Sequence, residues 1–337
     1  MDQAFTDTIL RWYALYGRDL PWRHTRDPYP IWLSEIILQQ TRIVQGKAYW
    51  ERFLERFPTI DSLAAAPEDE VMRLWQGLGY YSRARNLHEA ARQVVALGAF
   101  PDTLEGIRSL KGVGDYTAAA IGSFCFGIPA AVVDGNVYRV LARYYGLETP
   151  LGTAAAKKAF TALAQSLLPE DAASFNQAMM DFGALQCTPA APACDSCPLQ
   201  NGCNAFRTGR TSLLPVRPKA AVPRQRRLSY LYLRCQGQTP IRRRGPGDIW
   251  QGLWEPLCWE DAQPDLPDCR LLKKQVKHQL THRTLWADFY LAETDRKPAL
   301  PPGYRWIPES DLDRYGKPRL FEQLLETVQQ YQNQHEN

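Results

Sequence analysis

Residues 110–136 read LKGVGDYTAAAIGSFCFGIPAAVVDGN, and this stretch decides the fold of the first half of the chain. Leu110-Lys111-Gly112-Val113-Gly114 lies between two helix-periodic segments, where paired glycines permit a tight turn and bring backbone N–H groups close to a ligand. Taken alone such a motif is as readily a plain helix–helix turn; with free amides at the start of the following helix it would also form an anion site that suits a DNA phosphate. From Tyr116 to Val133 there is no charge. Ala, Gly, Ser and Thr dominate that run and Pro129 interrupts it, so it reads as a buried core helix plus a turn rather than a membrane span. Asp134-Gly135-Asn136 then opens the next helix, with Asp134 placed to cap it.

Outward from this stretch, helical periodicity covers most of residues 1–206: Phe5 to Tyr16, Ile31 to Trp50, Glu68 to Trp75, Ala84 to Leu97, Thr117 to Phe126, Val137 to Tyr145, Ala154 to Leu168 and Asn176 to Leu185. Gly and Pro punctuate the segments, as in Gly77-Leu78-Gly79, and no strand of convincing length is predicted here. Pro215, Pro218 and Pro223 mark a linker. Beyond Leu228 short alternating runs predict strands at Leu228 to Cys235, Trp250 to Cys258, Leu285 to Leu291 and Tyr304 to Ile307, with helices at Glu309 to Tyr315 and Pro318 to Tyr331. The reading is a multidomain chain: an all-α domain over 1–206, a basic linker over 207–227 and a small α+β domain over 228–337.

A hydrophobic content of 45% with 23% charged residues suits packed cores and excludes wholesale disorder. Asp2, Asp7 and Arg11 break the N-terminus before any apolar run, so no export signal is read and a cytoplasmic protein, nucleoid-associated if bacterial, is expected. The net charge of +4 conceals an asymmetry: Ser196 to Gly247 holds eleven cations, mostly Arg, and no Asp or Glu. Such a run reads either as a solvated linker or as a nucleic-acid contact, and the predominance of Arg, which suits bidentate phosphate contacts, is what brings the second reading in.

Glu35 is the one charge between Asp27 and Arg42, flanked by Ile31, Trp32, Leu33, Ile36, Ile37 and Leu38. Burial there disfavours the carboxylate and raises its pKa. Asp134, hydrogen-bonded as a helix cap, is expected to stay ionised. A neutral Glu and an ionised Asp form the pair that glycoside cleavage needs, one to protonate the leaving group and one to stabilise the sugar cation. Cys187, Cys194, Cys197 and Cys203 cluster in one Pro- and Gly-rich segment. Thiolates so close together suggest a metal centre, either zinc or a 4Fe-4S cluster. Only Cys194 and Cys197 form a short claw, which leans towards iron-sulfur.

Gly112-Val113-Gly114, the following Asp134 and the four cysteines together resemble the helix-hairpin-helix DNA glycosylase superfamily across residues 1–206. Asp19-Leu20-Pro21-Trp22-Arg23, Ser34-Glu35, Leu38-Gln39-Gln40-Thr41, Gly77-Leu78-Gly79-Tyr80-Tyr81 and Val133-Asp134-Gly135-Asn136 are similar to the MutY-type adenine DNA glycosylases. The resemblance implies a 4Fe-4S cluster on Cys187, Cys194, Cys197 and Cys203. It makes Glu35 the acid and Asp134 the cation stabiliser, supported by Tyr116 and Asn136. It places Trp22, Arg23 and Gln177 in an adenine pocket with Arg18 near Glu35. Gln40, Thr41, Leu78 and Tyr80 would meet the duplex beside the opposite base, with Gly112 and Gly114 on the phosphates. The partner implied is double-stranded DNA with adenine opposite 8-oxoguanine, bound by a monomer.

Residues 228–337 resemble the Nudix-like lesion-recognition domain of that family through Gly252-Leu253-Trp254-Glu255-Pro256 and His278 to His282. The family's usual Phe-Ser-His reads Leu280-Thr281-His282 here, leaving Thr281 and His282 to read the lesion. Endonuclease-III-like lyases resemble the first domain but carry a lysine where this chain has Tyr116, which disfavours a Schiff base. Thymine-mismatch glycosylases share the tyrosine but lack such a C-terminal domain. A Nudix hydrolase would need a Glu-rich metal-binding helix, and none is read. A non-catalytic DNA-binding iron-sulfur protein would have no reason to bury Glu35.

Overall fold

A computed structural model of the protein describes residues 2–218, 222–264 and 268–335; Lys219 of the basic stretch lies outside them. The helices are α1 Gln3–Tyr16, α2 Pro28–Ile37, α3 Ile43–Arg56, α4 Ile60–Ala65, α5 Glu68–Leu74, α6 Ser82–Leu97, α7 Leu104–Ser109, α8 Asp115–Phe126, α9 Gly135–Tyr145, α10 Ala154–Leu167, α11 Ala172–Leu185, α12 Asn204–Arg207 and α13 Arg319–His335. The strands are β1 Arg224–Arg234, β2 Gln238–Arg243, β3 Trp254–Glu255, β4 Leu257–Glu260, β5 Arg270–Gln279, β6 Arg283–Glu293 and β7 Tyr304–Pro308. The chain divides into two compact units, Met1–Asp61 with Glu89–Lys219, and Ser62–His88 with Ala220–Asn337.

The described residues of the first unit contain no strand. Phe5, Ile9 and Trp12 of α1 pack with Val140, Phe160, Phe175 and Phe182 of α9, α10 and α11 in its core. The expected helix Ile31 to Trp50 is two helices, because Gln40 adopts a left-handed φ of 59° and ends the first at Leu38. That break leaves Glu35 in the last turn of α2. At the hairpin only Gly112 needs glycine, at φ 77°. Gly114 is extended, caps α8 without a side chain, and a Cβ added to it would meet nothing within 4 Å. Its small size keeps a surface open rather than solving a backbone problem. α4 and α7, six residues each, are too short for periodicity to reveal.

In the second unit β1 and β6 run parallel at the centre of a sheet ordered β4-β1-β6-β5, and a smaller sheet is ordered β3-β2-β7. Leu320, Phe321, Leu324 and Val328 of α13 close one face over Tyr230, Tyr232, Leu285 and Phe289. The strand expected at Trp250 to Cys258 is only β3 and β4, since Trp250 (φ 59°) and Gly252 (φ 84°) make a turn. β2 and β5 have no clean alternation: β2 contains Pro240, and β5 is a polar edge strand bulged around Gln275, φ 53°. Residues 62–88, read in sequence with the helical half, belong to this unit. Arg243 pairs with Glu68 at 3.0 Å, the Trp254 indole donates to Asp69 at 3.2 Å, and the Lys317 amide donates to Gln76 at 3.0 Å.

Candidate active site and cluster loop

Glu35 opens onto a cavity of about 700 Å³ in the first unit, whose walls include Arg18, Trp22, Arg23, Gln40, Thr41, Tyr116, Asp134, Asn136 and Gln177. The catalytic and adenine-pocket residues expected from sequence, with Gln40 and Thr41, therefore share one chamber. Glu35 is 8% exposed, and burial, opposed by the Tyr116 hydrogen bond and reinforced by the Asp134 charge, pushes its carboxyl up to about 7. Tyr116, set in the first turn of α8 by the hairpin, donates its hydroxyl to Glu35 Oε2 at 2.8 Å. Its own ionisation is pushed well above the usual tyrosine range by burial and by the Glu35 charge. It can therefore serve as a fixed donor.

Asp134 caps α9. Its Oδ1 accepts from the amides of Asn136 and Val137, both at 2.8 Å, and its Oδ2 accepts from Asn136 Nδ2 at 2.7 Å. Burial nevertheless wins, lifting Asp134 above the ordinary aspartate value while these donors pull it down. Hydrogen bonding alone predicts a depressed pKa and a fully ionised group, so the sequence expectation needed the burial added. The two carboxyls still differ in kind: Asp134 has three donors and Glu35 has one, which separates their proton affinities in the order that acid and stabiliser require.

Arg18, expected near Glu35, lines the same chamber and is held there by Asp181, as is Arg23. Arg18 Nε and Arg23 Nη2 each donate to Asp181 Oδ1 at 2.9 Å, and Arg23 Nη1 donates to Oδ2 at 2.8 Å. Asp181 is 0% exposed, and the donors hold its carboxyl below its usual value against burial. Sequence reading missed it, although it is the only charge in α11, the same signal that singled out Glu35. Gln177, one turn away, accepts from the Tyr13 hydroxyl at 2.8 Å.

Cys187 follows α11, Cys194 opens a short 3₁₀ turn that Cys197 ends, and Cys203 precedes α12. The buried Arg143 ties this loop to α9: it donates to the carbonyls of Thr188 at 2.8 Å and Pro189 at 3.0 Å and approaches Cys187 Sγ at 3.3 Å. Arg139 donates to the Cys187 carbonyl at 2.7 Å. The Leu199 amide faces the Cys197 sulfur, and those of Ala205 and Phe206 face the Cys203 sulfur. Among the described residues no three His, Cys, Asp or Glu side chains are placed to hold one metal ion. Backbone N–H donors aimed at the Cys197 and Cys203 sulfurs are the surroundings that suit metal-bound thiolates. Neither arginine was visible as functional in sequence, since helix-borne Arg reads as a solvated face.

The second unit holds a separate cavity of about 670 Å³, walled by Tyr80, Trp250, His278, Thr281 and His282 among others. The Tyr80 and Thr281 hydroxyls are 2.5 Å apart. Tyr80 sits at φ 45° after the left-handed Gly79 and is 46% exposed, whereas Leu78, also expected to enter a duplex, is 8% exposed. Tyr80 is thus the side chain this loop presents. Gly112 and Gly114 border a third hollow in the first unit, with Arg108 and Lys157 paired to Asp115 beside them. The basic stretch is mostly spent on internal acids. Arg226 binds Asp248 and Glu260, Arg234 binds Glu293 and Glu309, and Arg242 and Arg244 share the buried Glu255.

Residues 33–170 match the HhH-GPD superfamily of base excision DNA repair proteins, and residues 229–327 match a NUDIX domain. The chain is 34% identical over 299 residues to the adenine DNA glycosylase of Buchnera aphidicola subsp. Baizongia pistaciae, covering 84% of each chain. It is 42% identical over 230 residues to the Mus musculus adenine DNA glycosylase, covering 64% of this chain and 45% of the mouse protein. Among solved structures, a thermostable thymine-DNA glycosylase aligns with a TM-score of 0.55 and 34% identity over 61% of this chain and 96% of its own. That likeness leaves more than a third of this chain unaligned, whereas the Buchnera relative is matched across most of both chains. The chain belongs to the MutY-type adenine DNA glycosylase family.

Proposed function

We propose that the chain flips an adenine mispaired with 8-oxoguanine or guanine out of duplex DNA and hydrolyses its N-glycosidic bond. The observation that carries this is Glu35, buried, protonated up to about pH 7 and held by Tyr116 in one cavity with Asp134. A stacked adenine cannot reach such an acid, so flipping is required. Glu35 gives its proton to an adenine ring nitrogen, and the C1′–N bond breaks with its electrons going to the base. The Asp134 carboxylate stabilises the sugar cation, and water adds to C1′ as its proton returns to Glu35. Asp181 holds Arg18 and Arg23 along the pocket wall, Trp22 and Gln177 complete it, and Asn136 fixes Asp134. Gly112 and Gly114 leave their amides open to phosphate, and Gln40 and Thr41 serve the opposite base.

Cys187, Cys194, Cys197 and Cys203 would hold a 4Fe-4S cluster, which supplies a structural anchor for the loop that Arg139 and Arg143 tie to α9. In the second unit Tyr80, Thr281 and His282 would read the opposite base, in keeping with the Nudix-like match there. Tyr116 in place of a lysine supports simple hydrolysis without a Schiff base. Single-turnover excision from duplexes with adenine opposite 8-oxoguanine, guanine, cytosine or thymine tests the reading. Adenine release, fastest opposite 8-oxoguanine and without strand cleavage, is expected. Release of thymine from a thymine-guanine pair, or borohydride trapping of a covalent complex, would overturn it.

A further inference from the structure

The outer face of the β4-β1-β6-β5 sheet is covered over only part of its length. Leu231, Leu233, Tyr290 and Ala292 pack with Tyr304 and Trp306 of the loop-and-strand segment ending in β7. Nearer the start of β1 and β6 the face is open, as a hollow of about 790 Å³ lined by Arg227, Gln275, Trp286 and Asp288 among others. Strand register sets Arg227 beside Trp286 on β6, and Trp286 beside Lys277 on β5. One row across three strands therefore reads cation, indole, cation. Gln225 accepts from the Trp286 indole N–H at 2.5 Å and fixes the ring, and Lys277 Nζ lies 5.6 Å from the ring centroid. Arg226 takes Asp248 and Glu260, while Arg227 is exposed.

We propose that this open face binds an unpaired stretch of nucleic acid. A base stacks on Trp286, neighbouring phosphates meet Arg227 and Lys277, and Asp288 with Gln275 offers acceptors and donors to base edges. Asp288 is already oriented, its Oδ1 accepting from the Gln275 amide at 2.7 Å. The charge pattern favours a strand over an acidic peptide, which has no use for a fixed indole between cations or for the carboxylates of Asp288 and Asp261 in the same hollow. The row lies only a few residues along β6 from the Thr281–His282 turn, so a strand leaving that turn has a surface to follow.

Fluorescein-labelled 12-mers of deoxycytidine and thymidine, titrated by anisotropy into the full-length protein, test this. Trp286→Ala should weaken binding about ten-fold, within the range base–aromatic stacking supplies. Trp286→Phe should keep most of the affinity, which a merely structural role for the indole would not predict. Arg227→Gln with Lys277→Gln should reduce the salt slope by about 1.4, at 0.7 per single-strand phosphate. A 5-iodouracil oligonucleotide should photocrosslink to the peptide holding Trp286. Excision of adenine from duplex DNA stays unchanged in every variant, so the outcome is independent of the glycosylase reading. Unaltered affinity and slope in these variants, or a glutamate peptide binding there more tightly than either 12-mer, overturns the proposal.

Discussion

The proton on Glu35 ties rate and stability to the same atom. Its pKa, raised from 4.5 to about 7 by burial, means the native state holds the proton more tightly than the unfolded chain does. The native state is therefore least penalised below the unfolded value and loses stability as pH rises from there through about 7, by on the order of 3 kcal/mol in all. Glu35→Gln should abolish excision, losing at least a hundred-fold, while duplex affinity stays within a few-fold. The same variant should melt higher than the parent at pH 8 and show a smaller gap at pH 5; an equal gap at both would place Glu35 in water. Tyr116→Phe removes the hydrogen bond that lowers the Glu35 pKa, so the alkaline limb of the single-turnover rate should move to higher pH. Glu35 was legible in sequence because a lone charge in an apolar run has few destinations. Asp181 carries the same mark, and its ion pairs with Arg18 and Arg23 join residues more than 150 positions apart, which no local pattern reports.

At the scale of elements, the cysteine loop shows what spacing can and cannot tell. Four thiols in a short segment announce a metal, but what fixes the loop is Arg143, a buried side chain 44 residues before Cys187. Protein purified without air should be brown and contain about four irons per chain, as four thiolate ligands permit; one zinc and no iron would exclude the cluster. Cys197→Ser should lose the iron and weaken DNA binding. Arg143→Lys should retain the thiols yet load iron poorly, because an ammonium cannot span the carbonyls of Thr188, Pro189 and Leu214 that the guanidinium reaches. Missed elements follow a similar logic. β5 is exposed, bulged and lysine-rich, so it lacks the alternation by which β1 and β6 were found.

Over the whole molecule, charge and opposite-base reading both look different once folded. The acid-free stretch suggests one basic tract, yet Arg226, Arg242 and Arg244 face Asp248, Glu255 and Glu260, which follow soon after its end. Arg207 and Arg217 are exposed. Replacing both with Ala should flatten the salt dependence of duplex affinity by about 0.9 for each phosphate left without its cation, whereas Arg226→Ala should leave the slope and lower the melting temperature. Cutting the chain at Leu228 is a poor test of lesion reading, since residues 62–88 would lose the partners of Glu68, Asp69 and Gln76. The cleaner test is Thr281→Ala with His282→Ala, two exposed turn residues. 8-Oxoguanine differs from guanine chiefly by an O8 acceptor and a protonated N7, so one or two hydrogen bonds must discriminate. At about 0.5–1.5 kcal/mol each, two bonds give roughly a ten- to hundred-fold preference. The double variant should erode that preference while keeping the excision rate at saturation. Because Thr281 also meets the Tyr80 hydroxyl, Tyr80→Phe should erode part of it alone. Should the double variant keep the full preference, the discrimination must come from Gln40 or another residue of the first unit.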